Sequence, residues 1–190
     1  MTMSTPPVRP RNAAATRAAI LDSARIRFAK EGYDGASVRE LAADAGVDPA
    51  LISRYFGSKE ELFVAVLKAG GAPQEFFEGD IATFGRRVAD MLLSDELDPA
   101  KFDHLMIMLR SCSSSHAAEA VRQGSRANFL EPFAAWLGGA DARVRAQLAG
   151  AVMMGMSMTR ALGTDLALSA EERERLRGRL AEILQRAVEP

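Results

Sequence analysis

The sequence is poor in cysteine, in histidine and in long apolar runs, and each shortage excludes a class of protein. Its single cysteine, Cys112, excludes an intrachain disulfide, and its two histidines leave few ligands for a metal site. The longest uncharged apolar run, residues 146–159, has fourteen residues and is too short to span a bilayer. The proline-rich N-terminus lacks the apolar stretch of a secretory signal. We therefore expect a cytoplasmic protein that makes no membrane contact.

The charge is nearly balanced, so it does not point to nucleic acid for the chain as a whole. The formal net charge is -1 at pH 7. Residues 1–68 carry ten Lys or Arg against eight Asp or Glu, whereas residues 69–190 carry fourteen against seventeen. A mildly basic first third is compatible with one anion-binding domain.

Apolar residues recur at helical spacing along most of the chain, and no stretch shows the alternation of a β-strand. The pattern predicts an all-α protein of about nine helices with a boundary near Gly70. Residues 1–12 are rich in proline and arginine, which predicts a disordered basic N-terminal arm. Beyond Gly70 we expect helices near 74–94, 99–113, 115–137, 141–163 and 169–187.

Capping signals divide residues 13–70 into four helices. Ser37 and Ser58 each precede a glutamate by three residues, which is the spacing of a capping box. Asp48 followed by Pro49 is typical of a helix start between them. Glycines mark the expected helix ends at positions 32, 46, 57 and 70. The predicted helices within 38–56, joined by a short glycine-containing turn, have the form of a helix-turn-helix.

The predicted helix 49–56 is too short to be stable alone in water, so its neighbours must hold it. Ile52 and Phe56 form its apolar side, and the opposite side presents small residues and Arg54. Small side chains allow a helix to enter a groove of DNA. Two further cations are available for binding: Lys59 is suited to phosphate, and Arg39 to phosphate or to guanine O6 and N7. The alternative interpretation of this pattern is a helix-turn-helix that does not contact DNA.

Residues 18–67, which include SVRELAADAGVDPALISRYFGSKEEL, resemble the DNA-binding domain of the TetR family of transcriptional regulators. The resemblance implies that helix 49–56 enters the major groove and that the next helix begins at a phosphate-binding lysine. Carried onto this sequence, it implies DNA contacts at Ser37, Arg39, Pro49, Ala50, Ser53, Arg54, Tyr55 and Lys59. Many relatives have an aromatic residue where this chain has Ser53. We therefore expect Arg54 or Arg39 to carry more of the base readout.

Residues 71–190 contain no specific motif, and the resemblance implies a ligand-binding and dimerisation domain there. The run 148–158 is apolar on all sides, so a helix over it lies either in the monomer core or against a second subunit. The predicted homodimer interface comprises Leu148, Val152, Gly155, Leu176, Leu180, Ile183 and Leu184.

Methionine and phenylalanine are frequent in the same region, and such side chains line adaptable pockets. The same residues at helical spacing also form ordinary cores. The candidate pocket for an apolar or aromatic effector comprises Phe84, Phe102, Met106, Phe129, Met153 and Met156.

Enzymatic signals are weak. Cys112, His116 and Glu119 have the spacing of one helical face, but three serines between the first two break the helix. The sequence contains no phosphate-binding loop, nucleophile elbow or H-E-x-x-H motif. We expect no enzyme activity, no cofactor and no metal.

The sequence therefore predicts a homodimeric, ligand-responsive regulator, a repressor that binds a palindromic operator in double-stranded DNA and is released by a small hydrophobic effector. Two alternatives stay open. One is a constitutive DNA-binding dimer without an effector. The other is a helical small-molecule-binding protein with a vestigial helix-turn-helix.

Overall fold

The computed structural model describes residues 13–70, 74–94, 99–161, 163 and 168–190. Over these ranges the chain is helical and forms no strand, which confirms the predicted all-α class. The predicted N-terminal arm, residues 1–12, lies outside the described residues.

The first four helices are α1 (Ala13–Gly35), α2 (Val38–Asp44), α3 (Pro49–Phe56) and α4 (Lys59–Ala69). Gly32 has φ 71° and ends the regular part of α1. The capping box of Ser37 and Glu40 at the start of α2 has both of its hydrogen bonds. At α4 the structure shows the serine side of the predicted box, in which Ser58 accepts a hydrogen bond from the N–H of Glu61 at 3.1 Å.

The second part contains α5 (Phe84–Leu92), α6 (Pro99–Ser111), α7 (Ala118–Ser125), α8 (Glu131–Leu137), α9 (Ala142–Ala161) and α10 (Ala170–Val188). The prediction of one helix over 74–94 is wrong in its first half. Two 3₁₀ turns, Gln74–Phe77 and Ile81–Thr83, replace it. Gly79, with φ 98°, and the cap made by Asp80 separate these turns and prevent a continuous helix.

The predicted helix 115–137 begins later, at Ala118, and is not regular throughout. A π-helical segment, Arg126–Leu130, joins α7 to α8. Its cause is Pro132, which lacks an N–H and whose ring would clash with the carbonyl four residues earlier. Instead, the N–H of Glu131 donates to the carbonyl of Arg126, five residues back. Since α7, the π segment and α8 form one continuous helix, the described ranges contain nine helices, as predicted.

Two hydrophobic cores organise these helices. The first unites α1–α4 with parts of α6 and α7, and its buried members include Ile20, Phe28, Leu41, Ile52, Leu62, Phe63, Ile107 and Val121. The second lies among α5, α8, α9 and α10 and includes Phe84, Val88, Phe133, Met153, Leu180 and Leu184. Burial of each of the larger side chains stabilises the fold by about 1.5–3 kcal/mol.

The junction between α1 and α6 joins the two parts of the chain. Arg25 of α1 forms an ion pair with Asp103 of α6. The backbone N–H of Tyr33, just after Gly32, donates to Oγ of Ser111 at the end of α6 with a distance of 3.2 Å. Helix α6 also contacts α9, so it touches both the first four helices and the second core.

Candidate DNA-binding site

The third helix is divided into a buried side and an exposed side. Ile52 and Phe56 lie in the first core, which fixes the helix between α2 and α4. Asp48 caps its start by accepting a hydrogen bond from the N–H of Ala50 at 2.8 Å. Gly57, with φ 91°, ends it. The side chains predicted to contact DNA all lie outside the core: Pro49, Ala50, Ser53 and Arg54 are exposed, and Tyr55 is half-buried.

The start of α2 carries a carboxylate and a free arginine. Glu40 accepts hydrogen bonds from the N–H and the hydroxyl of Ser37, at 3.0 and 2.6 Å. These bonds hold the pKa of Glu40 below its usual range. Arg39 is exposed beside them. Within the described part of the chain, neither Arg39 nor Arg54 has a hydrogen-bond or ion-pair partner.

Other arginines of the first four helices are engaged. Arg27 of α1 donates to Asp44 at 2.5 Å and to Glu31 at 3.1 Å, and so ties α1 to α2. The bond from Arg27 lowers the pKa of Asp44. An unengaged guanidinium group can donate a pair of hydrogen bonds to a guanine or a phosphate without first breaking another contact. Arg39 and Arg54 meet this condition.

Lys59 opens α4, and its ammonium lies over an aromatic ring. Its Nζ is 4.1 Å from the ring centroid of Tyr33, and the Tyr33 hydroxyl donates to Oε1 of Glu60 at 2.5 Å. Burial and this bond raise the pKa of Tyr33, and the same bond lowers the pKa of Glu60. The sequence pattern points to Lys59 but not to Tyr33, because no spacing rule connects residues so far apart in the chain.

Arg17 is a further cation near α3 to which the sequence pattern does not point. It lies exposed near the start of α1, and its guanidinium carbon is 4.7 Å from the ring centroid of Phe56. The contact brings a positive charge from α1 to the end of α3. Its position before the resembling motif gave no signal for this role.

The candidate pocket residues are divided between the two cores. Phe84 and Met153 are buried in the second core, and Phe129 and Met156 pack against it. Met106 packs against the first core, and Phe102 is 36% exposed. A Cβ added to Gly150 would lie 2.8 Å from the ring of Phe129, so this ring fits against α9 only because a glycine faces it.

The candidate dimer residues fall on two sides of α9 and α10. Leu148 and Ile183 are exposed by 55% and 53%, and Gly155 is also exposed. Val152 and Leu176 are half-buried. Leu180 and Leu184 are buried in the second core of the same chain. Two further exposed apolar residues of α9, Val144 and Met154, were not predicted.

The described residues contain no group of three or more His, Cys, Asp or Glu side chains placed to hold a metal ion. Cys112 is exposed, and its thiol donates to the carbonyl of Leu109. No helix in the described ranges has the length and apolar character needed to cross a membrane.

Two family models match the chain. A model of bacterial regulatory proteins of the tetR family matches residues 20–66, and a model of a tetracyclin repressor-like C-terminal domain matches residues 82–188. Curated relatives include the HTH-type transcriptional repressor AcnR of Corynebacterium efficiens, which is 33% identical over 96 residues, or 50% of this chain and 47% of that protein. The repressor NicS of Pseudomonas putida is 41% identical over 61 residues, or 32% of this chain and 29% of that protein. The chain thus spans about half or less of the length of these relatives.

Solved structures match over nearly the whole chain. NalD, described as the secondary repressor of the MexAB-OprM multidrug efflux pump in Pseudomonas aeruginosa, aligns with a TM-score of 0.69 at 19% identity. That alignment covers 93% of this chain and 97% of NalD. A TetR-family regulator from Streptomyces coelicolor aligns with a TM-score of 0.55 at 25% identity, over 96% of this chain and 99% of that one.

Proposed function

The chain belongs to the TetR family of bacterial transcriptional regulators, and we propose from this that it is a ligand-responsive, DNA-binding repressor that binds a palindromic operator as a homodimer. The family and the regulator names of its relatives point to transcription control in the cytoplasm rather than to an enzyme. We assign DNA binding to residues 13–70, and ligand binding and dimerisation to residues 71–190.

The division of α3 into a buried side and an exposed side carries this proposal. Ile52 and Phe56 hold the helix in the core, so its exposed side is presented as a rigid surface. That surface is small enough to enter a major groove, except for Arg54 at its end. Arg54 and Arg39 have no partner in the described part of the chain, so each can donate two hydrogen bonds to O6 and N7 of a guanine.

Phosphate contacts would then set the position of α3 on the duplex. Lys59 supplies a point charge and Tyr55 supplies a hydroxyl group beside the exposed side of α3, whereas the Ser37 hydroxyl is already bonded to Glu40. Contacts of this kind give affinity and register without choosing a sequence. In a dimer, the two copies of α3 would contact half-sites about 34–36 Å apart, or a multiple of this spacing.

Dimerisation is proposed through the exposed sides of α9 and α10. Leu148, Gly155 and Ile183 supply exposed apolar and small groups that the described part of the chain leaves uncovered. Burying such groups against a second copy removes apolar surface from water and stabilises the dimer.

The effector is proposed to be a small apolar or aromatic molecule that enters the second core. Phe84, Phe129, Met153 and Met156 are the candidate residues that lie in or against this core. The dimer would exist in two states that differ in the distance between its two α3 helices. The effector would bind more tightly to the state whose spacing does not fit the operator, and this difference in affinity would release the DNA. Helix α6 would transmit the change from the second core to the first four helices, since it contacts both α9 and α1.

The proposal is tested by selecting binding sites from a random-sequence duplex library and then measuring Kd on the selected sites across a salt series. We expect a palindrome bound by the wild-type protein, with affinity reduced in Arg54→Ala. Arg86→Ala, at an exposed arginine of α5, is the matched control and should bind as the wild type does. Recovery of no sequence above non-specific affinity would contradict specific DNA recognition by the free protein.

Effector binding is tested separately on the protein–operator complex with a panel of apolar and aromatic small molecules. We expect at least one compound to raise Tm and to release the DNA. If no compound does either, the constitutive DNA-binding alternative becomes the better description.

A further inference from the structure

We propose that Tyr33 is a positioning residue for DNA binding: its ring fixes the ammonium of Lys59, and its hydroxyl holds the carboxylate of Glu60 apart from that ammonium. The inference rests on the proposed function, in which Lys59 binds phosphate. It assigns a binding role to a buried residue outside the helix-turn-helix itself.

The Tyr33 ring is fixed on several sides. The residue is 4% exposed and directly follows Gly32, where the regular helix ends. Its ring centroid lies 6.2 Å from that of Phe28 in a stacked arrangement and 5.1 Å from that of Phe63 edge-on. Its backbone N–H is bound to Ser111 of α6. A ring held in this way is a rigid support for any group that rests on it.

Lys59 rests on this support. A lysine side chain in water samples many rotamers, and a phosphate contact must select one of them. With Nζ 4.1 Å from the Tyr33 ring centroid, the ammonium is attracted to the face of the ring while remaining half-buried at the surface. The lysine is therefore oriented before DNA arrives, which lowers the entropy lost on binding.

Glu60 is the group that would otherwise weaken this contact. It is the next residue along the first turn of α4, and a free carboxylate there would pair with the ammonium of Lys59 and neutralise its charge. The Tyr33 hydroxyl binds it at 2.5 Å. This hydrogen bond holds the Glu60 carboxylate at the tyrosine hydroxyl rather than at the Lys59 ammonium.

Hydrophobic packing alone does not account for a tyrosine at this position. Its ring neighbours, Phe28 and Phe63, fill the same core without any polar atom. The hydroxyl instead reaches a surface carboxylate, and the ring face lies under a surface ammonium. Both polar contacts are with consecutive residues at the start of α4.

The experiment compares Kd for a selected operator in wild type, Tyr33→Phe, Glu60→Gln and the double variant. Tyr33→Phe keeps the ring but frees Glu60, and should weaken DNA binding about two- to fivefold at low salt, the range of an exposed charge pair. Adding Glu60→Gln should restore wild-type affinity, because the freed charge is gone. In a Lys59→Ala background, Tyr33→Phe should have no further effect.

A structural role for Tyr33 predicts a different pattern. Loss of packing would weaken binding in every background and would not be reversed by Glu60→Gln. Either that pattern or unchanged binding by Tyr33→Phe would overturn the inference. Failure of the wild type to bind any operator would instead overturn the proposed function, so the two failures are distinguishable.

A second measurement needs no variant that might unfold. In the free wild-type protein, NMR should show the side-chain CH₂ protons of Lys59 next to the ammonium shifted upfield by the ring current of Tyr33. Random-coil shifts for these protons would show that the ammonium does not rest on the ring, and the inference would fail.

Discussion

Gly32 of α1 lies directly against Arg110 of α6. A Cβ placed on this glycine would stand 3.2 Å from the Arg110 carbonyl oxygen and 3.3 Å from its Cβ. The Arg110 guanidinium in turn donates to the carbonyl of Lys30. These contacts connect α1 to the helix that touches the second core, so the fit at Gly32 affects both parts of the chain.

Gly32→Ala should destabilise the protein by about 1–3 kcal/mol. The glycine has φ 71° and ψ -178°, a region that residues with a Cβ rarely adopt. Urea unfolding would measure the change. Gly178→Ala on α10, where a Cβ would meet nothing within 4 Å, is the control and should raise stability by up to about 1 kcal/mol. Equal stabilities for Gly32→Ala and wild type would contradict the close packing of α1 on α6.

Arg39→Ala should relax base preference at one operator position and should cost about 1–3 kcal/mol if the contact is bidentate to a base. Lys59→Ala should weaken binding to every sequence alike and should lower the slope of log affinity against log salt by about one. Competition binding with single-base operator variants separates the two effects. An equal loss on all sequences for Arg39→Ala would show that this arginine contacts only phosphate.

Leu148→Glu should convert the dimer to a monomer while leaving the fold of each chain intact. The side chain is largely exposed in the single chain, so a charge there costs little until a second copy covers it. Sedimentation velocity gives the oligomeric state, and circular dichroism gives the fold. Val64→Glu, at an exposed valine of α4, should remain dimeric. A dimeric Leu148→Glu would remove this side of α9 from the interface.

Stability should fall as the pH drops below about 6.5, the usual pKa of histidine. Burial lowers the pKa of His104, whose Nδ1 is buried against Gly70 and has no hydrogen-bond partner among the described residues. The unfolded chain therefore binds more protons than the folded one below pH 6.5, and the loss reaches up to about 1.4 kcal/mol per pH unit.

Urea unfolding between pH 8 and pH 5 would measure this effect. His104→Gln should flatten the profile, and His116→Gln, at the exposed histidine, should leave it unchanged. A profile that is flat in the wild type would show that the imidazole accepts its proton in the fold without cost.

Local signals predicted the caps of α2 and the bounds of α3 well. Ser37, Asp48 and Gly57 act through residues at most four positions away, so their capping roles were visible in the sequence. The contact between Lys59 and Tyr33 depends on the packing of α1 on α4, and no local pattern reports it. Phe77 illustrates the same limit: it packs on the second core from a 3₁₀ turn, in a region where the sequence predicts one helix over 74–94.

The candidate pocket residues show that composition does not assign a residue to a core. Met106 and Met153 are both flexible apolar residues at helical spacing, yet they belong to different cores. Periodicity identifies the apolar side of a helix but not the neighbour that covers it. Helix α6 has neighbours on more than one side, so its residues could not be assigned to one core from the sequence.

The two sides of α3 have a consequence for how such a protein can change over generations. The side chains that anchor the helix, Ile52 and Phe56, are separate from those it exposes at positions 49, 50, 53 and 54. In the proposed complex with the operator, substitutions at the exposed positions alter operator choice at little cost in stability. After gene duplication, one copy could therefore acquire a new set of target promoters while keeping the fold it inherited.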